Sequence, residues 1–331
     1  MKTRKLGKTG PVVSAFGLGC MGMSDMYGPS DRAESLATFD AAVEAGVTLI
    51  DTGDFYGMGH NEMLIGEALK THKRDKLVLS VKTGALRDPN GQFLGFDGRP
   101  AAIKNFLAYS LKRLGVDHID IYRPSRLDPA VPIEDTIGAI SEMVQAGYVR
   151  HIGLSEMGSE TIRRAAKVAP IVDLQIEYSL VSRGVEKDIL PTLRELGIGM
   201  TAYGVLSRGL ISGHWTKAQA MNARDFRNTG PRFQGDNLDA NLALVEALRA
   251  VAEAKGVTTA QAAIAWVASR GDDIIPLIGA RRRDRLSEAL GALEVNFTAE
   301  DLAAIEAAMP AQAVAGTRYA TAMMSHLDSE R

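Results

Sequence analysis

The sequence predicts an α/β fold in which parallel strands form one sheet, closed into a (β/α)8 barrel. Two observations predict it. Short, near-continuous apolar runs recur eight times along the chain, and stretches with helical spacing separate them. The count alone does not separate a closed barrel from an open, doubly wound sheet. The 331 residues would fill two average domains, yet α/β barrels commonly exceed about 250 residues as one unit. One domain over 1–331 is therefore expected, with an irregular tail from about 311.

Taken in order, the strand candidates are Val12–Leu18, Val47–Asp51, Lys76–Lys82, His118–Tyr122, Val149–Leu154, Val172–Ile176, Ile198–Ala202 and Ile274–Ile278. Leu36, Phe39 and Val43 share one helical face that stops at Gly46. Ile133, Ile137, Ile140 and Val144 form a second, stopping at Gly147, and Ile189, Leu193 and Leu196 a third, stopping at Gly197. Three stretches exceed ordinary connector length: Gly84–Pro100 with Phe93 and Phe96, Gly204–Leu238 with Trp215, Phe226 and Phe233, and the tail from Pro310.

Composition narrows the function classes. A net charge of −2 offers no basic face for nucleic acid, and no apolar run approaches the roughly 20 residues that span a bilayer. The charged opening residues lead into Gly10-Pro11, so no secretory leader is expected. A lone cysteine, Cys20, excludes an internal disulfide and fits a reducing compartment, the cytoplasm by default. The six histidines are scattered without ligand spacing, which argues against a metal-dependent hydrolase, and no metal is expected.

Gly17-Leu-Gly19-Cys20-Met21-Gly22 matches the dinucleotide fingerprint G-x-G-x-x-G. That motif works only when its third glycine opens a helix that receives a pyrophosphate. Here a turn-like stretch follows Gly22, and the next helix begins near Ser30 or Asp31. The plainer reading is a strand end, Gly19–Met21, where a ligand can lie against the backbone.

The ends of the second and third strands carry the chemistry. The second ends in Asp51-Thr-Gly-Asp-Phe55-Tyr56-Gly57, the third in Val81-Lys82-Thr-Gly84. Barrel enzymes build their sites at strand C-terminal ends, so Asp51, Tyr56 and Lys82 are delivered to one rim. Asp51 can balance a lysine ending a buried strand. That ammonium favours the phenolate of Tyr56, drawing its pKa toward the working range. Such a phenol can give a proton to a carbonyl oxygen as hydride reaches the carbon.

With Gly153-Leu-Ser155 and Tyr203-Gly204-Val-Leu206-Ser207-Arg208-Gly209 added, the sequence resembles the aldo-keto reductase family from about Arg4 to about Met309. The resemblance implies a (β/α)8 TIM barrel with an N-terminal β-hairpin and an extra C-terminal helix. It implies Tyr56 as general acid, tuned by Lys82 and Asp51, and a nicotinamide dinucleotide held without a Rossmann domain. The family pattern Tyr-x-x-His-Arg-x-Asp reads Tyr122-Arg-Pro-Ser125-Arg126-Leu-Asp128 here, with serine at the histidine position. Serine donates a hydrogen bond but carries no charge near neutrality. A water, Arg123 or Arg126 takes over the oxyanion, or the extra room alters which substrate enters, or the replacement is neutral because Tyr56 and Lys82 carry the essential proton step.

The resemblance also assigns the cofactor residues. Ser155 and Glu156, the latter where the family commonly has asparagine, and Gln175 face the nicotinamide carboxamide. Tyr203 stacks on the ring, and Leu206, Ser207, Arg208 and Gly209 receive the pyrophosphate. Beyond the eighth strand, Ile278-Gly279-Ala280-Arg281 leads into Arg285 and Glu288. Four arginines at a helix start suit a ribose 2′-phosphate, so NADP(H) is expected rather than NAD(H). Phe55, Phe93 and Phe96 are candidates for the substrate wall. The expected activity is NADPH-dependent reduction of a small-molecule aldehyde or ketone. The alternative is a cofactor-binding, redox-sensing or regulatory subunit with little turnover.

Overall fold

The computed structural model describes residues 1–218 and 225–331; part of the long Gly204–Leu238 stretch thus lies outside the described residues. The chain opens with a hairpin of β1 (Thr3–Lys5) and β2 (Val12–Ser14). Eight strands then close a parallel barrel: β3 (Gly17–Gly19), β4 (Leu49–Gly53), β5 (Val78–Thr83), β8 (Ile119–Pro124), β9 (Val149–Ser155), β10 (Ile171–Glu177), β11 (Gly199–Tyr203) and β12 (Ile274–Gly279). Closure comes from β12 pairing back onto β3, Leu277 beside Gly17 and Gly279 beside Gly19. Within the expected Gly84–Pro100 stretch, β6 (Ala85–Arg87) and β7 (Phe93–Phe96) form an antiparallel ribbon.

The expected first strand, Val12–Leu18, is two strands. Ala15 and Phe16 turn the chain between β2 and β3, and the Ala15 N–H bonds to the Lys2 carbonyl at 2.8 Å. The hairpin seals the bottom of the barrel, where Leu6 and Val13 pack with Leu49, Ile121, Val172 and Ile275. The top is left for chemistry.

The helices are α1 (Arg32–Glu44), α2 (His60–Ala68), α3 (Pro100–Leu114), α4 (Ile133–Gln145), α5 (Ser159–Val168), α6 (Ile189–Leu196), α7 (Gly235–Ala254), α8 (Thr259–Ala268), α9 (Arg283–Gly291), α10 (Ala299–Ala308) and the short α11 (Thr321–Met324). Stops fall where the sequence placed them: α4 and α6 give way to left-handed glycines, Gly147 at φ 85° and Gly197 at φ 71°. Capping boxes of Thr258 with Gln261 and Thr298 with Asp301 start α8 and α10, each contributing about 1 kcal/mol. The glycine motif opens no dinucleotide helix: after β3 comes one 3₁₀ turn, Met21–Ser24, and α1 begins only at Arg32. No helix among the described residues is long and apolar enough to cross a membrane.

The tail is the part that pattern reading left blank. Residues 318–329 fold back over the top of the barrel, and Asp328 accepts the Gly158 N–H at 2.8 Å. His326 sets its ring 5.5 Å from that of Phe93 and 5.7 Å from that of Phe96, tying the tail to the β6–β7 ribbon.

Candidate active site

Parallel register lines up the functional side chains. Asp51 of β4 lies beside Ser80 of β5, Gly53 beside Lys82, and Lys82 in turn beside Arg123 of β8. Asp51 and Lys82 are buried and form an ion pair. The Lys82 ammonium also donates to Gln175 Oε1 at 2.8 Å. Gln175 Nε2 and Ser80 Oγ donate to Asp51 Oδ2 at 2.7 and 2.8 Å. The amide expected at the cofactor's carboxamide thus clamps both members of the pair. Burial pulls the Lys82 pKa down, and Asp51 works against that pull.

Tyr56 follows β4 on a tight turn in which Gly57 and Met58 adopt left-handed φ of 54° and 53°. That turn brings its buried ring under the ammonium, with Lys82 Nζ 5.1 Å from the ring centroid. Phe55 packs edge-on against the same ring at 4.9 Å. The phenol differs from expectation in one respect. Its pKa is raised well above the ordinary value, by burial first and by Asp51 second, with Arg126 opposing. Desolvation outweighs the cations in the resting site, which keeps the phenol protonated.

Ser125 sits one residue past β8, buried, its N–H bonded to the Thr83 carbonyl at 2.8 Å and its Oγ without a partner among the described residues. The two arginines considered as substitutes for histidine part company here. Arg123 is fully buried and committed, through Nη1 to Asp173 Oδ2 at 2.9 Å and through Nη2 to Ser80 Oγ at 3.0 Å. Gly153 makes room for that pair, since a Cβ there would come within 2.6 Å of Asp173 Oδ1 and 3.0 Å of Arg123 Cζ. Arg126 has no such commitment.

The expected cofactor side is built from β9, β10, β11 and the tail. Ser155 Oγ is buried and unpartnered among the described residues. Glu156, left-handed at φ 52°, accepts from Arg318 through Nη1 at 3.0 Å and Nη2 at 2.8 Å. It also accepts from the Tyr203 hydroxyl and from Ser329 Oγ, each at 2.7 Å. Burial pushes this carboxyl up, but Arg318, Arg126 and the Tyr203 hydroxyl together hold it well below the usual range. Tyr319 places its hydroxyl 2.8 Å from that of Tyr203, and its ring under Arg208 at 4.4 Å. Arg208 reaches Glu177 Oε2 at 3.0 Å and the Arg318 carbonyl at 2.9 Å. In the turn after Leu206, the Ser207 and Gly209 N–H groups bond to the Gly204 and Leu206 carbonyls at 2.7 and 2.9 Å. These two backbone donors, expected at a pyrophosphate, are satisfied within the turn.

Gly19–Met21 follows two strands on around the barrel, at the end of β3, the Cys20 N–H bonded to the Asp51 carbonyl at 3.0 Å and the thiol buried. Ile278, Gly279 and Ala280 end β12 and lead to the four arginines. Two of these are drawn aside: Arg282 pairs with Asp284 at 2.8 Å and Arg283 with Glu34 at 2.9 Å. Arg285 joins Glu288, at 3.2 Å, and His214 in one cluster. Among the described residues Arg281 hydrogen-bonds only to carbonyls, of Gly28 at 2.9 Å and Pro29 at 3.1 Å. Trp215 and Phe226 do not join Phe93 and Phe96: Trp215 packs on Phe233 at 5.0 Å, and Phe226 on Tyr319 at 6.1 Å.

Sequence reasoning missed Arg318 and Tyr319. The available signal was Glu156 itself, because a carboxylate ending a buried strand needs a cation, and the tail holds unassigned arginines.

A buried carboxylate–ammonium–tyrosine set at the C-terminal mouth of a parallel barrel is an oxidoreductase arrangement, and the comparisons agree. The family model for the aldo/keto reductase family matches residues 15–310. Over 316 residues the chain is 38% identical to "Probable aldo-keto reductase 1" of Glycine max, covering 95% of this chain and 91% of that protein. Among solved structures, glycerol dehydrogenase AKR11B4 from Gluconobacter oxydans superposes with a TM-score of 0.83 at 29% identity, covering 93% of this chain and 96% of that one. The holo form of aldo-keto reductase AKR11C1 from Bacillus halodurans gives 0.78 at 28%, covering 94% and 97%. The chain belongs to the aldo/keto reductase family. It is an oxidoreductase of small carbonyl compounds that works with a nicotinamide cofactor.

Proposed function

We propose that this chain reduces the carbonyl group of an aldehyde or ketone to an alcohol with NADPH, Tyr56 supplying the proton. The observation that carries the reading is the Lys82 ammonium, locked between Asp51 and Gln175 and poised over the Tyr56 ring at 5.1 Å. Bound at the barrel mouth, NADPH supplies a hydride to the carbonyl carbon. As negative charge grows on the carbonyl oxygen, the Tyr56 hydroxyl donates its proton there. The phenolate left behind faces the cations of Lys82 and Arg126, which stabilise it more than the neutral phenol. A phenol held protonated at rest suits the reducing direction.

The residues present fit the cofactor. Ser155 Oγ, enclosed without a partner among the described residues, is a hydrogen-bonding group available to the carboxamide, beside Glu156 and Gln175. Tyr203, at the end of β11, would stack on the nicotinamide ring, and Arg208, in the turn after it, would meet the pyrophosphate. Arg281, without a carboxylate partner among the described residues, and Arg285 at the start of α9 favour a 2′-phosphate and hence NADPH over NADH. Glu288 stands on the same helix for the adenine.

Steady-state oxidation of NADPH against a panel of aldehydes and ketones tests the reading, with Tyr56→Phe as control. Turnover that falls by about 10²- to 10⁴-fold in the variant, with NADPH binding retained, is the expected result. NADPH binding without turnover on any carbonyl would favour a redox-sensing subunit, and equal turnover by Tyr56→Phe would remove the tyrosine from the mechanism.

A further inference from the structure

We infer that Arg126 selects carbonyl substrates that also carry a carboxylate, an inference that rests on the carbonyl-reductase reading above. The charges around the barrel mouth do not balance. Lys82 is paired with Asp51, Arg123 with Asp173, Arg318 with Glu156, and Arg208 and Arg232 both with Glu177. Arg126 alone in this set has no carboxylate within ion-pair distance among the described residues. Its one hydrogen bond there runs from Nη1 to the Ser125 carbonyl at 2.6 Å, and its Nε is buried without a partner. Beside it lies the equally unpartnered, buried Oγ of Ser125. Two adjacent donors enclosed with nothing to donate to are costly unless a ligand completes them.

The position points to substrate rather than cofactor. Arg126 follows β8 by two residues, on the rim beside Lys82, and lies within electrostatic reach of Tyr56, Lys82, Tyr203 and Tyr319, and of Glu156, whose carboxylate is already paired with Arg318. The cofactor's phosphates have Arg208, Arg281 and Arg285 as candidate partners elsewhere on the rim. A guanidinium presents two parallel N–H donors that match a carboxylate, and the Ser125 hydroxyl can add a third. Serine is shorter than histidine, and that carboxylate would take the volume an imidazole would fill. The carboxylate takes no part in bond changes. Hydride goes from NADPH to the carbonyl carbon, the proton comes from Tyr56, and the products are a hydroxy acid and NADP⁺.

The test compares matched pairs, succinic semialdehyde with butanal and 4-carboxybenzaldehyde with benzaldehyde, in the wild type, Arg126→Met and Arg126→Lys. Wild-type kcat/KM is expected to favour the acid member by about tenfold or more, the gain lying mainly in KM. In Arg126→Met that ratio falls by about tenfold, and Arg126→Lys recovers part of it. A wild-type ratio at or below one overturns the inference. So does a ratio unmoved in Arg126→Met while both members slow together, the signature of oxyanion support instead. Calorimetry on the NADP⁺-saturated protein separates this from failure of the parent reading. Benzoate binding that Arg126→Met abolishes upholds the anion site even without turnover, and benzoate binding equally to both proteins, or to neither, rejects it.

Discussion

Asp54, two residues before Tyr56, is a carboxyl whose proton the fold retains well above the usual range. Burial pushes its pKa from 3.8 up to about 7, while the Thr83 hydroxyl, donating to Oδ2 at 2.6 Å, works the other way. The folded value exceeds the unfolded one, so between pH ~4 and ~7 the native state binds the extra proton and stability falls as pH rises. At about 1.4 kcal/mol per pKa unit, the interval corresponds to a loss of up to about 4 kcal/mol by pH 8. Near 2 cal/mol/K of unfolding entropy per residue, a chain of this length converts that into a Tm shift of roughly 6 °C. Asp54→Asn keeps the shape and an acceptor for Thr83 but cannot ionise. By scanning calorimetry at one scan rate, the variant is therefore expected to melt only about 2 °C above the wild type at pH 5, where about 2 kcal/mol of the loss has accrued, and roughly 6 °C above it at pH 8. A difference in Tm that is the same at both pH values would refute the reasoning, because it would show that the carboxyl does not titrate in the folded state in this window.

Two further outcomes follow from the buried pairs. Lys82→Met leaves Asp51 with only the Ser80 and Gln175 donors, so urea unfolding should register a loss of about 3 kcal/mol and NADPH oxidation should fall at least about 10²-fold; full stability with activity retained would contradict the site. Arg318→Met exposes the opposite pH behaviour to Asp54. The Glu156 pKa is depressed in the fold, so the pair's contribution is present above the unfolded value of 4.5 and lost as pH falls below it. Chemical unfolding should show a deficit of about 3 kcal/mol at pH 7 that shrinks toward pH 4, and a deficit independent of pH would count against the pair.

The barrel could be read from the sequence because its signals are local. Each strand is a run of consecutive apolar residues, and helices such as α4 and α6 end at glycines that leave the right-handed region. The first strand was blurred for the same reason. Val12 to Leu18 is apolar enough to read as one piece, and only the bond from Ala15 to Lys2 and the pairing of the Ser14 backbone N–H with Thr48 Oγ1 at 2.8 Å show the break. Asp51, Tyr56 and Lys82 were legible as a set because strand ends converge on one rim whatever the loops do. The Glu156–Arg318 pair joins residues 162 positions apart, through a tail with no periodicity, so no pattern could announce it. The direction of the Tyr56 shift was illegible for another reason: a charge can be read from the sequence, but the degree of dehydration that competes with it cannot.

The folded-back tail bears on where the functional unit ends. The stretch matched by the family model stops at residue 310, and a designer who trimmed the chain there would keep every strand of the cylinder. The shortened protein would lack the guanidinium that neutralises Glu156 and the ring beneath Arg208. It would present a sound scaffold with the Glu156 carboxylate laid bare at the barrel mouth. Chimaeras between relatives therefore need to carry barrel and terminus together, since residues 318–329 complete the wall that the strands begin.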